Sequence, residues 1–106
     1  MLVKKENLSG ITECLYDSSN IFRSIYYEND QILFLFFQRG GVYSYYPMNE
    51  EKYNEFETAE SQGKYFTKNI RQDGTIQYKK MFKLTDIEKQ LINEAVENLK
   101  KEIDGK

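Results

Sequence analysis

The residues of this chain best suited to chemistry are the cations and aromatic rings of residues 61–84. This segment contains six Lys or Arg residues and one Asp, so its net charge is +5. The basic residues are Lys64, Lys68, Arg71, Lys79, Lys80 and Lys83, and the rings among them are Tyr65, Phe66, Tyr78 and Phe82. Cations neutralise phosphates and rings stack on bases, which is the combination that binds single-stranded nucleic acid. The alternative is a solvated basic face whose cations pair with acidic helices beside it.

The rest of the chain is acidic. Residues 1–60 carry a net charge of −5 and residues 85–106 a net charge of −2, so the whole chain has −2. This balance excludes a global attraction to nucleic acid or to an anionic membrane. Any attraction to an anion must therefore be local to the basic segment.

The composition also excludes several kinds of catalysis. The chain has no His, which excludes Ser-His-Asp triads, His-ligated metals and His acid–base chemistry. The single Cys, Cys14, excludes an internal disulfide and a cysteine zinc site. The carboxylates Glu55, Glu57 and Glu60 are typical of a solvated helix face, and no glycine-rich phosphate-binding loop is present. We therefore expect a protein that is not an enzyme and that holds no metal or cofactor.

Alternating apolar and aromatic residues between turn signals predict an antiparallel meander. The predicted strands are 20–27, 31–38 and 42–46, with a fourth short strand near 75–82. After Pro47, Asn49 caps a helix near 49–61, and a capping box opens another near 86–103. The expected fold is α+β: a three- to four-stranded antiparallel meander packed with a central helix and a C-terminal helix.

The two faces of the predicted sheet follow from the period of two. Phe34 and Phe36 lie on one face of the central strand, and Leu33, Leu35 and Phe37 lie on the other, so we expect both faces to be covered. Tyr43 and Tyr45 share a face of the third strand. That face is either a platform on which bases stack or core packed beneath the central helix.

The ends of the chain lie outside the predicted meander. Residues 1–18 are weakly patterned and are predicted to form an N-terminal extension before a domain of residues 19–80. Residues 81–106 are predicted to form a C-terminal amphipathic helix on the same domain, docked by a stripe at i, i+4 spacing. The stripe is Ile87, Leu91, Ala95, Leu99 and Ile103, and it is widened by Ile92 and Val96. A free thiol, no signal peptide and no apolar run of about 20 residues favour a cytoplasmic protein without a membrane span.

Several motifs occur in a fixed order between residue 19 and about residue 78. They are Tyr43-Ser44-Tyr45, Glu50-Glu51-Lys52-Tyr53, Ala59 to Phe66 with the pattern A-x-S-x-G, and Asn69-Ile70-Arg71. Together they resemble the KTSC domain, a small module at the C-terminus of some lysyl-tRNA synthetases and in stand-alone bacterial or phage proteins. Where the family has Val-Pro before the helix, this chain has Met48-Asn49. The attachment to a synthetase implies RNA binding.

The basic segment and the KTSC-like motifs together define the candidate ligand-binding residues. They are Tyr43, Tyr45, Ser61, Gly63, Lys64, Lys68, Asn69, Arg71, Tyr78 and Lys79. We expect Gly63 to end a helix in the left-handed conformation and Ser61 to cap locally. Asn69 and Arg71 supply donors for phosphate or base edges, although Arg71 could instead close a salt bridge. The expected ligand is RNA or another anionic nucleotide.

A protein-interaction module is the alternative function. A small, acidic, Tyr-rich protein encoded by a phage or mobile element could act on a host protein, for example as an inhibitor of a defence system, and Tyr is enriched at protein interfaces. An oligomer is also compatible with the sequence. The location of the cations discriminates between the two functions, because clustered cations favour nucleic acid.

Overall fold

The computed structural model describes residues 1–104, and its centre is one antiparallel sheet in which each strand pairs with the next in the chain. The strands are β1 (Leu2–Leu8), β2 (Ile11–Tyr16), β3 (Ile21–Tyr27), β4 (Ile32–Phe37), β5 (Gly41–Tyr46) and β6 (Gln77–Lys83). The helices are α1 (Glu50–Thr58), α2 (Gln62–Tyr65), a π-helix (Phe66–Arg71) that continues α2, and α3 (Asp86–Asp104). The α+β class and the antiparallel meander are confirmed.

The predicted number of strands was wrong, because the sheet has six strands and not three or four. Residues predicted to be an N-terminal extension form the hairpin of β1 and β2, and β2 pairs with β3. Leu8, Ile11 and Leu15 have the spacing of a helix and not of a strand, which concealed this hairpin. The inward residues of β2 are Thr12, Cys14 and Tyr16, which do not stand out as an apolar stripe. The turn has positive φ at Ser9 and Gly10, as a tight hairpin turn requires.

One face of the sheet, which we call the helical face, packs against α1, α2 and the π-helix. Its core contains Leu33 and Leu35 of β4 together with Phe56 of α1. The ring of Tyr26 stacks on that of Tyr53, with centroids 4.1 Å apart. Among residues 1–104, no buried side-chain nitrogen or oxygen lacks a hydrogen-bond partner.

Glu57 of α1 is buried, contrary to its predicted place on a solvated helix face. It accepts hydrogen bonds from the Lys5 ammonium group at 2.9 Å and from the Tyr53 hydroxyl at 2.9 Å, and the Cys14 thiol donates to it at 3.5 Å. Lys5 and Cys14 belong to β1 and β2. The hairpin that the sequence analysis missed therefore covers this side of α1.

The opposite face of the sheet carries a smaller core of Phe22, Phe36, Val42 and Leu84, against which Ile92 of α3 packs. The predicted division of the β4 side chains between the two faces is therefore confirmed.

Only part of the predicted docking stripe of α3 meets the sheet. Val96 is buried and Ile92 packs against the core, whereas Ile87 and Leu91 are 70% and 60% exposed. Only one edge of the apolar surface of α3 thus meets the sheet. No helix within residues 1–104 is both long and apolar enough to span a membrane.

Candidate functional site

A cleft of about 750 Å³ lies on the helical face, between the π-helix and the β4–β6 end of the sheet. We call it the basic cleft. Its walls come from β4, β5, β6, the turn before β5 and the π-helix. The lining residues are Asn20, Phe37, Arg39, Gly41, Tyr43, Tyr45, Phe66, Thr67, Ile70, Arg71, Ile76, Tyr78, Lys80 and Lys83.

The charges that line the basic cleft all have one sign. Four lining residues are cations, namely Arg39, Arg71, Lys80 and Lys83, and none is Asp or Glu. Within residues 1–104, none of the four lies in a salt bridge. A concave surface lined by unpaired cations focuses the field and raises the local concentration of anions.

Three separate segments bring these cations together. Arg71 is the last residue of the π-helix. Lys80 and Lys83 lie in β6, opposite Tyr43 and Gly41 of β5. Arg39 lies in the turn between β4 and β5, where Gly40 has a φ of 103° and its carbonyl accepts from the Leu84 amide at 2.6 Å. This last contact holds the turn against the end of β6.

Aromatic rings form the floor of the cleft. The Phe66 ring meets those of Phe37 and Tyr45 edge to face, with centroids 5.3 and 5.4 Å apart. Tyr45 is only 6% exposed, so it belongs to the core, as one of the two interpretations of the tyrosine face expected. Burial is the main cause that raises the pKa of its hydroxyl, which keeps the phenol neutral beside the cations.

Tyr78 differs from the floor because it stands at the rim. Its side chain is 72% exposed, and its ring centroid lies 6.3 Å from that of Tyr43. Tyr43 is half-buried and lines the cleft. Tyr78 is therefore a ring of the cleft with most of its surface free.

A second, polar depression of about 390 Å³ adjoins the basic cleft. It is lined by Ser18, Ser19, Asn20, Ser61, Gly63, Lys64, Thr67 and Lys68. Four candidate residues, Ser61, Gly63, Lys64 and Lys68, thus lie here and not in the basic cleft. Ser61 caps α2, since its hydroxyl accepts from the Lys64 amide at 3.2 Å.

Gly63 does not have the left-handed conformation predicted for it. It is the second residue of α2, and α1 has already ended at Thr58. A Cβ at Gly63 would lie 3.0 Å from both Cβ and Nδ2 of Asn20. The close approach of α2 to the segment between β2 and β3 therefore leaves little room for a side chain at this position.

Two candidate residues line neither depression. Lys79 pairs with Ser44 and so lies on the face of the sheet opposite the cleft, because side chains alternate along β6. The Asn69 side chain donates to the Tyr65 carbonyl at 3.3 Å, within its own helix. Tyr65 itself donates to Glu55 at 2.6 Å.

The acidic residue of the basic segment, Asp73, is paired away from the cleft. Its carboxylate accepts from the Lys52 ammonium group at 2.5 Å, and the same ammonium group donates to the Asn69 carbonyl at 3.1 Å. The Lys52 hydrogen bond, followed by those from Thr75, holds the pKa of Asp73 well below its ordinary value. The pair ties the end of the π-helix to α1 and leaves the charges of the cleft uncompensated.

Sequence reasoning did not assign Arg39, Lys80 or Lys83 to the site. Lys80 and Lys83 belong to the predicted basic segment, and the period of two in β6 could have separated Lys80 from Lys79. Arg39 carries no such signal. It is 41 positions before Lys80 in the chain, and only the pairing of β5 with β6 brings its turn to the cleft.

Comparison with known proteins agrees with this architecture. No curated protein matches the chain in sequence. The fold is similar to the crystal structure of a KTSC domain protein from Yersinia pestis, with 25% sequence identity and a TM-score of 0.62, over 68% of this chain and 99% of that chain. The family model of the KTSC domain matches residues 17–73, which end before β6. This match covers more than half of the sequence, and the chain belongs to the KTSC domain family.

Proposed function

We propose that this protein binds single-stranded RNA, or another anionic nucleotide ligand, in the basic cleft. The observation that carries the proposal is the charge of the cleft, where four cations without salt bridges among residues 1–104 face a space lined by no carboxylate. Phosphate contacts from Lys and Arg dominate the affinity of nucleic-acid binding.

Each cleft residue has a role that its chemistry allows. The planar guanidinium groups of Arg39 and Arg71 donate two parallel hydrogen bonds to a phosphate. Lys80 and Lys83 act as point charges along the backbone of the ligand. Tyr78 offers its exposed ring for stacking on a base, which does not depend on the identity of the base. The ligand is held by charge and stacking, with little readout of sequence.

We propose binding without catalysis. The basic cleft has no carboxylate or thiol that could act as a base or nucleophile. Residues 1–104 contain no group of three or more Cys, Asp or Glu side chains that could hold a metal ion. We also propose a cytoplasmic setting, because the single Cys, Cys14, is a buried free thiol and free thiols are typical of reducing compartments.

The proposal is tested by titrating the protein with short single-stranded RNA at two salt concentrations. If four phosphates are contacted, the logarithm of the association constant should fall with that of the salt concentration at a slope of about −3. The variant Arg71→Ala should bind more weakly and unfold at the same temperature, because an exposed guanidinium contributes little to stability. Failure to bind RNA at low salt, where the attraction is strongest, would exclude the proposed function.

The alternative, a protein-interaction module of phage or mobile-element origin that acts on a host protein, has a different observation in its favour. Exposed apolar side chains lie on β6 and α3, with Phe82 51%, Ile87 70% and Leu91 60% exposed. β6 is also an edge strand of the sheet, with one side unpaired. This function predicts co-purification of a protein that survives nuclease treatment, and no dependence of binding on Arg71.

A further inference from the structure

The polar depression and the basic cleft are neighbours that share a wall. Asn20 and Thr67 line both of them. The helical segment from Gln62 to Arg71 contributes residues to both depressions. Its Arg71 lines the basic cleft, whereas its Lys64 and Lys68 line the polar depression. A chain-like ligand that extends from the cleft into the polar depression must therefore pass Asn20 and Thr67.

The polar depression repeats the charge pattern of the cleft. Lys64 and Lys68 are exposed and lie in no salt bridge within residues 1–104, and no Asp or Glu lines the depression. Taken together, the two linings present six cations and no carboxylate. Two adjoining cationic surfaces suit a polyanion, whereas a single nucleotide needs only one of them.

The shared wall also offers an unused polar group. The side chain of Asn20 is half-buried, and its amide group forms no hydrogen bond with any described residue. The backbone of Asn20 is satisfied, because its N–H donates to Ser18 Oγ and its carbonyl accepts from the Gln38 amide. A primary amide has two donors and an acceptor, which suit a phosphate, a ribose or a base edge. Asn20 thus lies where a ligand would cross from one depression to the other.

We infer that the polar depression is a second phosphate-binding subsite, occupied by an extended single strand that runs from the basic cleft past Asn20 and Thr67 to Lys64 and Lys68. This inference rests on the proposed function and deepens it, because it makes the ligand an oligonucleotide of several units instead of a mononucleotide.

The test measures affinity for a series of oligouridylates, from one nucleotide to about eight, the range covered by small single-strand-binding folds. Wild-type affinity should rise with length. Two additional phosphate contacts should steepen the salt slope of the longer strands by about 1.4. The variant K64Q/K68Q should lose this additional slope and the gain of affinity with length, and should bind the mononucleotide as the wild type does.

The matched control is K79Q/K101Q, which removes two charges from residues outside both depressions. It should retain the length dependence of the wild type. Equal affinity of the wild type for all lengths, or an equal loss in the control variant, would overturn the second subsite while leaving the basic cleft intact. Absence of binding at every length in low salt would overturn the proposed function itself.

Discussion

Lys79 and Lys80 are consecutive in β6 but lie on opposite faces of the sheet. Lys80 is paired with Tyr43 and lines the basic cleft, whereas Lys79 is paired with Ser44 and lies on the other face. The two residues carry the same charge, belong to the same strand and are both exposed. They therefore separate an effect of position from an effect of net charge.

This pair provides the first prediction. Lys80→Gln should weaken RNA binding and make the salt slope shallower by about 0.7, because one phosphate contact on a single strand is lost. Lys79→Gln should leave the affinity and the slope as they are in the wild type. Fluorescence titrations of the two variants at several salt concentrations measure both quantities. Equal losses in the two variants would mean that the ligand responds to net charge and not to the cleft.

The second prediction concerns the ring at the rim. Tyr78→Ala should cost about 1–3 kcal/mol of binding free energy if the ring stacks on a base. Tyr78→Phe should retain most of the affinity, since stacking does not need the hydroxyl. Tyr46 is the control, because it is 53% exposed and lies next to the cleft residue Tyr45, on the other face of β5. Tyr46→Ala should bind normally, and a similar loss there would exclude stacking at Tyr78.

The third prediction tests whether the face covered by α3 is a true core. Phe36 is 5% exposed, packs in the smaller core and lies beneath the Arg23 guanidinium, which is 4.6 Å from its ring centroid. Phe36→Ala should lower the free energy of unfolding by about 3–5 kcal/mol. Urea denaturation measures this loss, with the half-exposed Phe82→Ala as a milder comparison. A loss below about 1 kcal/mol for Phe36 would indicate an open face and favour a dimer or a protein partner.

The fourth prediction is loss of stability at alkaline pH. Burial is the main cause that raises the pKa values of Cys14, Tyr16 and Tyr53 above their ordinary values of 9.0, 10.0 and 10.0. Above a pH of about 9, the unfolded chain therefore releases protons from these groups, while the folded protein keeps them protonated. The free energy of unfolding does not depend on these groups below that pH, and it falls as the pH rises above it.

Urea denaturation at pH values from about 8 to about 11 measures this dependence. A matched variant is Tyr16→Phe combined with Ser24→Ala, which removes both partners of the 2.7 Å hydrogen bond between the two hydroxyls. This double variant should lose less stability over the same range, because one buried phenol is absent. A free energy of unfolding that stays constant across the range would contradict the prediction.

The fifth prediction concerns the contact between α2 and the β2–β3 connection. Gly63→Ala adds a Cβ only 3.0 Å from Asn20, and such overpacking costs about 1–3 kcal/mol, against a gain of about 1 kcal/mol from helix propensity. In the background of Asn20→Gly the obstacle is removed, so the same substitution should become more favourable by about 1 kcal/mol. A double-mutant cycle in urea measures this coupling. Additive effects would show that the two residues do not restrict each other.

Local patterns in the sequence explain why part of the fold could be predicted. The strands from β3 to β5 combine aromatic and β-branched residues with polar or glycine turns, and the observed strands lie at the predicted positions. The hairpin of β1 and β2 was missed because its inward residues are Thr, Cys and Tyr, whose burial depends on partners elsewhere in the chain. Glu57 was misplaced for the same reason, since Lys5 and Cys14 cover it only after that hairpin has formed.

By itself, the sequence determined the fold class, the absence of His chemistry, the concentration of positive charge in residues 61–84 and the resemblance to the KTSC domain. Only the tertiary structure decided which cations share a surface. Lys79 was excluded from the cleft by its register against β5, and Arg39 was included by the pairing of β5 with β6. The physical reason is that charge and periodicity are local properties of a chain, whereas a binding surface depends on strand pairing and on contacts between residues far apart in sequence.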